Sequence, residues 1–281
     1  MIKHFVPRLK IKTGVLFLFL FIPGIVYSQS RSGRVLSSET NLGIGYVNIG
    51  IIGTNVGTVA NEAGEFMLIP DKIYNNDSLR FSMIGYESKS MLVSQFKKDS
   101  IKTVYLKPVL YSLHEVIVIY HRPREVKLGT EVVSNELRSG FGYNDLGSEM
   151  GIKIHIRGQV KLKDINLNVA VCTYDSVTYR LNIYQSNNKI DYKNILTVPI
   201  YISFSKDKIN NVITFDLWKY SIIVEGDVLI ALELYKDLGE GSLLFHTEYF
   251  TGLTYHRKAI EGSWTEAPGV IGMYLHGQLI R

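Results

Sequence analysis

The chain has 281 residues, with 31 Lys and Arg against 26 Asp and Glu, 24 glycines, 18 tyrosines and one cysteine. Four of the basic residues lie among the first 28; without them 27 basic residues face 26 acidic ones, and the net charge falls from +5 to +1. A near-neutral body lacks the basic footprint of a nucleic-acid binder, and a lone Cys172 excludes an intrachain disulfide.

Lys3, Arg8, Lys10 and Lys12 make a basic start, followed by the apolar run GVLFLFLFI (14–22) and then Pro23-Gly24. This is the layout of a secretory signal peptide over 1–28, with cleavage expected between Ser28 and Gln29. A membrane anchor needs about 20 apolar residues, more than this run provides. No later segment has spanning length, so no transmembrane segment is expected after cleavage. Export to the periplasm, or to the outer membrane or cell surface, is the expectation.

From residue 29 to about 110 the chain reads as short strands separated by Gly, Asn and Asp. They are expected at 33–37, 46–51, 57–60, 66–69, 79–83, 87–93 and 103–106, enough for a small sandwich. Asn61-Glu62-Ala63-Gly64 fits a type I turn folding 57–60 onto 66–69 as a hairpin. Gly85 lies where a positive φ reverses the chain.

These residues carry a family resemblance. Gly33-Arg34-Val35, Tyr46-Val47, Gly57-Thr58 with Gly64 and Phe66, and the Ile84-Gly85-Tyr86 turn resemble the carboxypeptidase-regulatory-like (CarboxypepD_reg-like) domain. Asn61 stands where the family often has Asp. The resemblance runs over 31–107 and implies a transthyretin-like, seven-stranded sandwich found in many envelope proteins. It implies no peptidase activity.

Residues 111–129 follow as a strand and linker. Leu113 to Ile119, with Glu115, Val116, Ile117 and Val118, resembles the TonB box of receptors driven by the TonB energy-coupling protein. That resemblance implies a partner strand for capture by sheet edge pairing. The remaining residues to Arg281 are too few for the plug and 22-stranded barrel of such a receptor, so any coupling would be that of an adaptor. His121 to Lys127 is expected as the interdomain joint, with each domain folding independently.

Residues 130–281 alternate apolar and mixed positions with a period of two. Ile165/Leu167/Val169/Val171, Val177/Tyr179/Leu181/Ile183, Val198/Ile200/Ile202/Phe204, Ile213/Phe215/Leu217, Val228/Ile230/Leu232/Leu234, Leu243/Phe245/Thr247 and Ile271/Met273/Leu275/Leu279 each share a face. That pattern predicts a larger, jelly-roll-like β-sandwich. The fold class is all-β, and a helix longer than a turn or two is expected nowhere except near 131–138.

Candidate chemistry is sparse. No histidine begins the H-x-x-E of a zinc carboxypeptidase, and neither G-x-S-x-G nor a G-K-[ST] phosphate loop occurs. No catalytic residue, metal ligand or cofactor is expected. His246, Glu248 and His256, and likewise Glu225, Asp227 and Glu233, read better as solvated faces than as metal sites. Arg180 and Asn182 share an outer face on which Arg180 can pair with Glu233. Tyr255 and Trp264 are the candidate ligand-binding residues, because an aromatic in a sandwich loop can stack on a sugar.

The expected function is therefore a non-enzymatic exported binding or accessory module for a glycan, a peptide or an envelope protein. Two alternatives remain: an adaptor contacting TonB through 113–119, and a hydrolase in the second sandwich. A glycosidase would need two convergent carboxylates.

Overall fold

A computed structural model describes residues 31–98, 103–109, 124–134, 136–186 and 192–280. The signal segment and Glu115 to Val118 lie outside the described residues. The chain is all-β, in two units with separate cores.

The first unit contains β1 (Arg31–Ser37), β2 (Asn48–Ile51), β3 (Gly57–Val59), β4 (Glu65–Leu68), β5 (Ser78–Ser82), β6 (Lys89–Leu92), α1 (Val93–Lys98) and β7 (Thr103–Leu106). Its two sheets run β4-β1-β7 and β3-β2-β5-β6. Between them Val35, Val47, Ile49, Phe66, Phe81 and Val104 form the centre of one core. Each such side chain, removed from water, contributes about 1.5–3 kcal/mol.

Seven strands stand close to their expected places, with two local differences. The Asn61–Gly64 turn forms, with Gly64 N–H donating to the Asn61 carbonyl at 3.0 Å and Asn61 Oδ1 accepting from Ala63 and Glu65 N–H. It does not make a hairpin, because β4 gives its ladder to β1 while β3 pairs with β2. The turn therefore carries the chain from one sheet to the other. The end of the expected 87–93 strand is instead α1, which buries Val93 and Phe96. Gly85 has φ +90°.

The second unit has β8 (Arg124–Thr130), β9 (Arg138–Phe141), β10 (Glu149–Cys172), β11 (Ser176–Ser186), β12 (Tyr192–Asn194), β13 (Ile200–Ser205), β14 (Val212–Asp216), β15 (Ile223–Glu233), β16 (Leu243–Arg257), β17 (Thr265–Ile271) and β18 (Met273–Leu279). The axis is β10. Its first half pairs with β15 and β16, its second half with β14 and β18, and its last residues, Val169 to Cys172, with β16 again. A register shift between Ile156 and Val160 separates the halves, as a β-bulge does when a strand changes direction. Both halves feed one core, which holds Ile152 and Ile154 together with Leu167, Leu181, Ile230 and Phe245.

Of the predicted alternating positions, nearly all point inward; Val198 is the exception, at 49% exposure. Two expectations change. No helix occupies 131–134 or 136–138, and Arg138 begins β9. Arg124 to Lys127 is not a joint: β8 pairs with β18 from Arg124↔Leu279 to Thr130↔Met273. The larger sheet thus begins inside the stretch assigned to the linker.

The units are closely docked. Gly53 N–H donates to the Glu261 carbonyl at 2.9 Å, and a Cβ on Gly50 would stand 3.0 Å from Glu261 Cγ. Ile84, on the first unit, packs against the core of the second.

Candidate functional site

Successive side chains on a strand point to opposite faces. On β10, β11, β15 and β16, residues such as Ile152, Leu181 and Ile230 point into the core. The opposite face then carries Glu149, Arg180, Asn182, Tyr184, Glu233 and Arg257. Register places Arg180 opposite Glu233, Glu233 opposite Glu149, and Glu149 opposite Arg257. Four neighbouring strands therefore bear a transverse row of charges in the order plus, minus, minus, plus.

Two like charges side by side destabilise a sheet, and here each has its own counter-ion. Arg180 donates from Nε to Glu233 Oε2 at 2.9 Å and from Nη2 to Oε1 at 2.5 Å. Arg257 donates from Nε to Glu149 Oε2. Asn182 Nδ2 bridges the carboxylates, 2.6 Å from Glu149 Oε1 and 2.7 Å from Glu233 Oε2, and Tyr184 Oη donates to Glu149 at 2.7 Å.

The first unit is the cover over this row. Arg180 Nη1 donates to the Tyr46 carbonyl at 2.7 Å and contacts Met83 Sδ at 3.3 Å. Tyr46 is held at φ +61°, a left-handed conformation that costs a non-glycine residue about 1–2 kcal/mol. Its ring packs edge-on against Tyr235 and Tyr201. The pair Arg180–Glu233 is consequently 1% and 0% exposed.

Burial holds the Glu149 carboxyl above its ordinary value of 4.5; Arg257 opposes the rise and the neighbouring Glu233 adds to it. A carboxyl with a raised pKa binds its proton more tightly in the folded chain than in the unfolded one. Its contribution to stability is complete below 4.5 and is lost as pH rises through the folded value. Urea unfolding of wild type and Glu149→Gln across that range should give a difference that moves in favour of the variant as pH increases. The Arg257 pair, which forms only with the ionised carboxyl, opposes this trend and is already contained in the net upward shift. A pH-independent difference would refute the assignment.

Beside the row, a cleft of about 570 Å³ opens between the outer face of β2 and β5 and the ends of β11, β12 and β16. Asn48, Arg80, Ser82, Asn194, Arg257 and Trp264 are among its lining residues. Asn48 is 6% exposed, and its Oδ1 meets no hydrogen-bond partner among the described residues. Arg80 Nε is likewise buried and unpartnered, although Nη1 lies 3.7 Å from Glu261. A larger cavity of about 890 Å³ lies between the units near Tyr46, Phe66 and Tyr235. None of the unpartnered buried polar atoms belongs to its lining. Buried polar groups without partners are uncommon in native proteins, so the smaller cleft is the better candidate.

The sequence-predicted residues divide between these places. Trp264 lines the cleft, with Arg257 4.4 Å from its ring centre and Tyr184 edge-on at 5.9 Å. Tyr255 is outside the lining, in the aromatic floor that Tyr184, Tyr192 and Trp264 build over Leu229 and Ala231. Arg180 and Glu233 pair as expected. Glu149 and Arg257, which complete the row, escaped the sequence reading. So did Asn48 and Arg80, whose only signal is outward parity on β2 and β5.

The residues considered for metals are separated. His246 Nδ1 contacts the Ser134 carbonyl while Glu248 is exposed. Asp227 meets His155 at 2.7 Å, far along β15 from Glu233. Cys172 donates to the Tyr174 carbonyl, and burial pushes its thiol up. Among the described residues no helix is long and apolar enough to cross a membrane.

A search of the curated proteins finds no match. A solved mutant VP2 protein of infectious bursal disease virus aligns over 89% of this chain and 62% of its own, at 11% identity and a TM-score of 0.16. The chain thus spans less than two thirds of that protein's length, and so low a score carries no argument. The first unit does match a family, and the match takes in Glu115 to Val118 beyond β7. Residues 31–118 match the family model of the CarboxypepD_reg-like domain.

Proposed function

We propose that the protein is an exported, non-enzymatic binding module of a bacterial envelope, and that its ligand site is the cleft between its two units. In this reading the first sandwich is transthyretin-like, the second jelly-roll-like, and the ligand a glycan, a peptide or part of an envelope protein. The carrying observation is Asn48, an almost completely buried amide of the cleft lining whose Oδ1 has no hydrogen-bond partner among the described residues. Burial of an unpaired amide oxygen costs about 1–3 kcal/mol, so this residue is held at the cleft against the stability of the fold.

The buried carboxylates favour binding over hydrolysis. Glu149 and Glu233 converge on Asn182, which is the arrangement the hydrolase alternative requires. Each is nevertheless saturated by an arginine, fully covered, and absent from the cleft lining. A general acid needs hydrogen-bond reach to its substrate.

Asn48→Leu separates folding from function. Removing an unsatisfied amide in favour of a side chain of similar size should raise stability by about 1 kcal/mol in chemical denaturation. The same change should abolish binding. Trp218 and Trp264 are the only tryptophans, so Trp218→Phe leaves Trp264 as the sole reporter. A panel of oligosaccharides and capped peptides should contain a member that shifts its emission saturably, and Asn48→Leu should suppress the shift. A destabilised Asn48→Leu variant with unaltered binding would overturn the reading.

A further inference from the structure

We infer that the cleft takes a neutral saccharide. The inference rests on the cleft being the binding site and adds the class of ligand. Charge decides the first half. Arg180 has Glu233, Arg257 has Glu149, and Arg80 has Glu261 at 3.7 Å. The lining therefore offers an ionic ligand hardly any uncompensated charge; Lys193 stands exposed at the rim. A multiply charged ligand entering such a cleft would lose hydration with little beyond Lys193 to offset it.

Hydrogen bonding decides the second half. Asn48, Arg80, Ser82 and Asn194 bring amide, guanidinium and hydroxyl groups to the lining. Asn48 and Arg80 are diagonal neighbours on adjacent strands, since Asn48 faces Ser82 and Gly50 faces Arg80. One rigid ring bearing several hydroxyls, each both donor and acceptor, can pair with lining groups of either kind. Trp264, Tyr86 and Tyr192 supply apolar walls for the ring faces. A volume of about 570 Å³ lies within the usual range of small-molecule sites and admits more than one sugar unit.

The test is isothermal titration of the full chain with four probes: maltotriose, triacetylchitotriose, a galacturonic acid trimer, and N-acetyl-trialanine amide. At least one neutral trisaccharide should bind more tightly than the acidic trimer. Asn48→Leu should weaken that binding about ten-fold or more, as expected when a buried hydrogen bond is lost; Trp264→Ala should also weaken it. Binding of the capped peptide alone would overturn the saccharide assignment and leave the cleft reading standing. Tightest binding of the acidic trimer would overturn neutrality. Sugar binding indifferent to both substitutions would place the sugar elsewhere and sink both readings.

Discussion

Arg180→Met should lower the stability of the full chain by about 3–5 kcal/mol, the usual cost of removing one partner of a buried ion pair. The substitution removes both donors to Glu233 and the one to the Tyr46 carbonyl. Glu233 would then sit uncompensated beside Glu149, in a place where water cannot reach it. Arg180→Lys should recover only part of the loss, because an ammonium cannot span two carboxylate oxygens and a carbonyl from one planar fork. Arg180→Met with Glu233→Leu should return most of it, since an apolar pair of similar size avoids the desolvation of both charges. Urea titrations of wild type, Arg180→Met, Glu233→Leu and the double variant complete a double-mutant cycle. A single-variant loss under about 1 kcal/mol, typical of an exposed pair, would mean that the first unit does not seal the row.

That row also marks where sequence reading stops. Period-two patterning exposes the strands because burial of one face is a local property. The seven strands of the first unit and nearly all inward positions of the second follow from it. The outer face of β11 is different: Arg180 and Asn182 have the composition of a solvated surface and become interior only because Tyr46 and Met83 arrive from more than ninety residues upstream. Parity alone was enough to propose the Arg180–Glu233 pair, but not its burial. Glu149 and Arg257 lie at opposite ends of long strands, so their meeting depends on register, which turn chemistry and sheet order determine together. The hairpin expected at Asn61–Gly64 failed for a related reason. The turn was legible, but the choice of β1 over β3 as partner for β4 is a tertiary one.

Gly151→Val should be strongly disruptive, with a loss of about 3 kcal/mol or more from overpacking. Gly151 lies on β10 one row from the charges, opposite Ala231 on β15 and Tyr255 on β16. A Cβ there would overlap the Ile230 carbonyl and stand 2.6 Å from Ala231 Cα. Neither atom belongs to a flexible side chain, so relief requires β10 and β15 to move apart. Two small residues side by side, Gly151 and Ala231, also leave the depression in which Tyr184, Tyr255 and Trp264 gather. Filling it should displace Trp264 from Arg257 and open the floor of the cleft, so the fold and the proposed site fail together. Ala231→Val, on the same face but with a Cβ already accommodated, should cost less and act mainly on the aromatic cluster. Chemical denaturation gives the two stability losses, and Trp264 emission in the Trp218→Phe background reports the cleft. Equal, small losses with unchanged emission would show that β10 and β15 tolerate a side chain at 151, and that the close approach is not what shapes the floor.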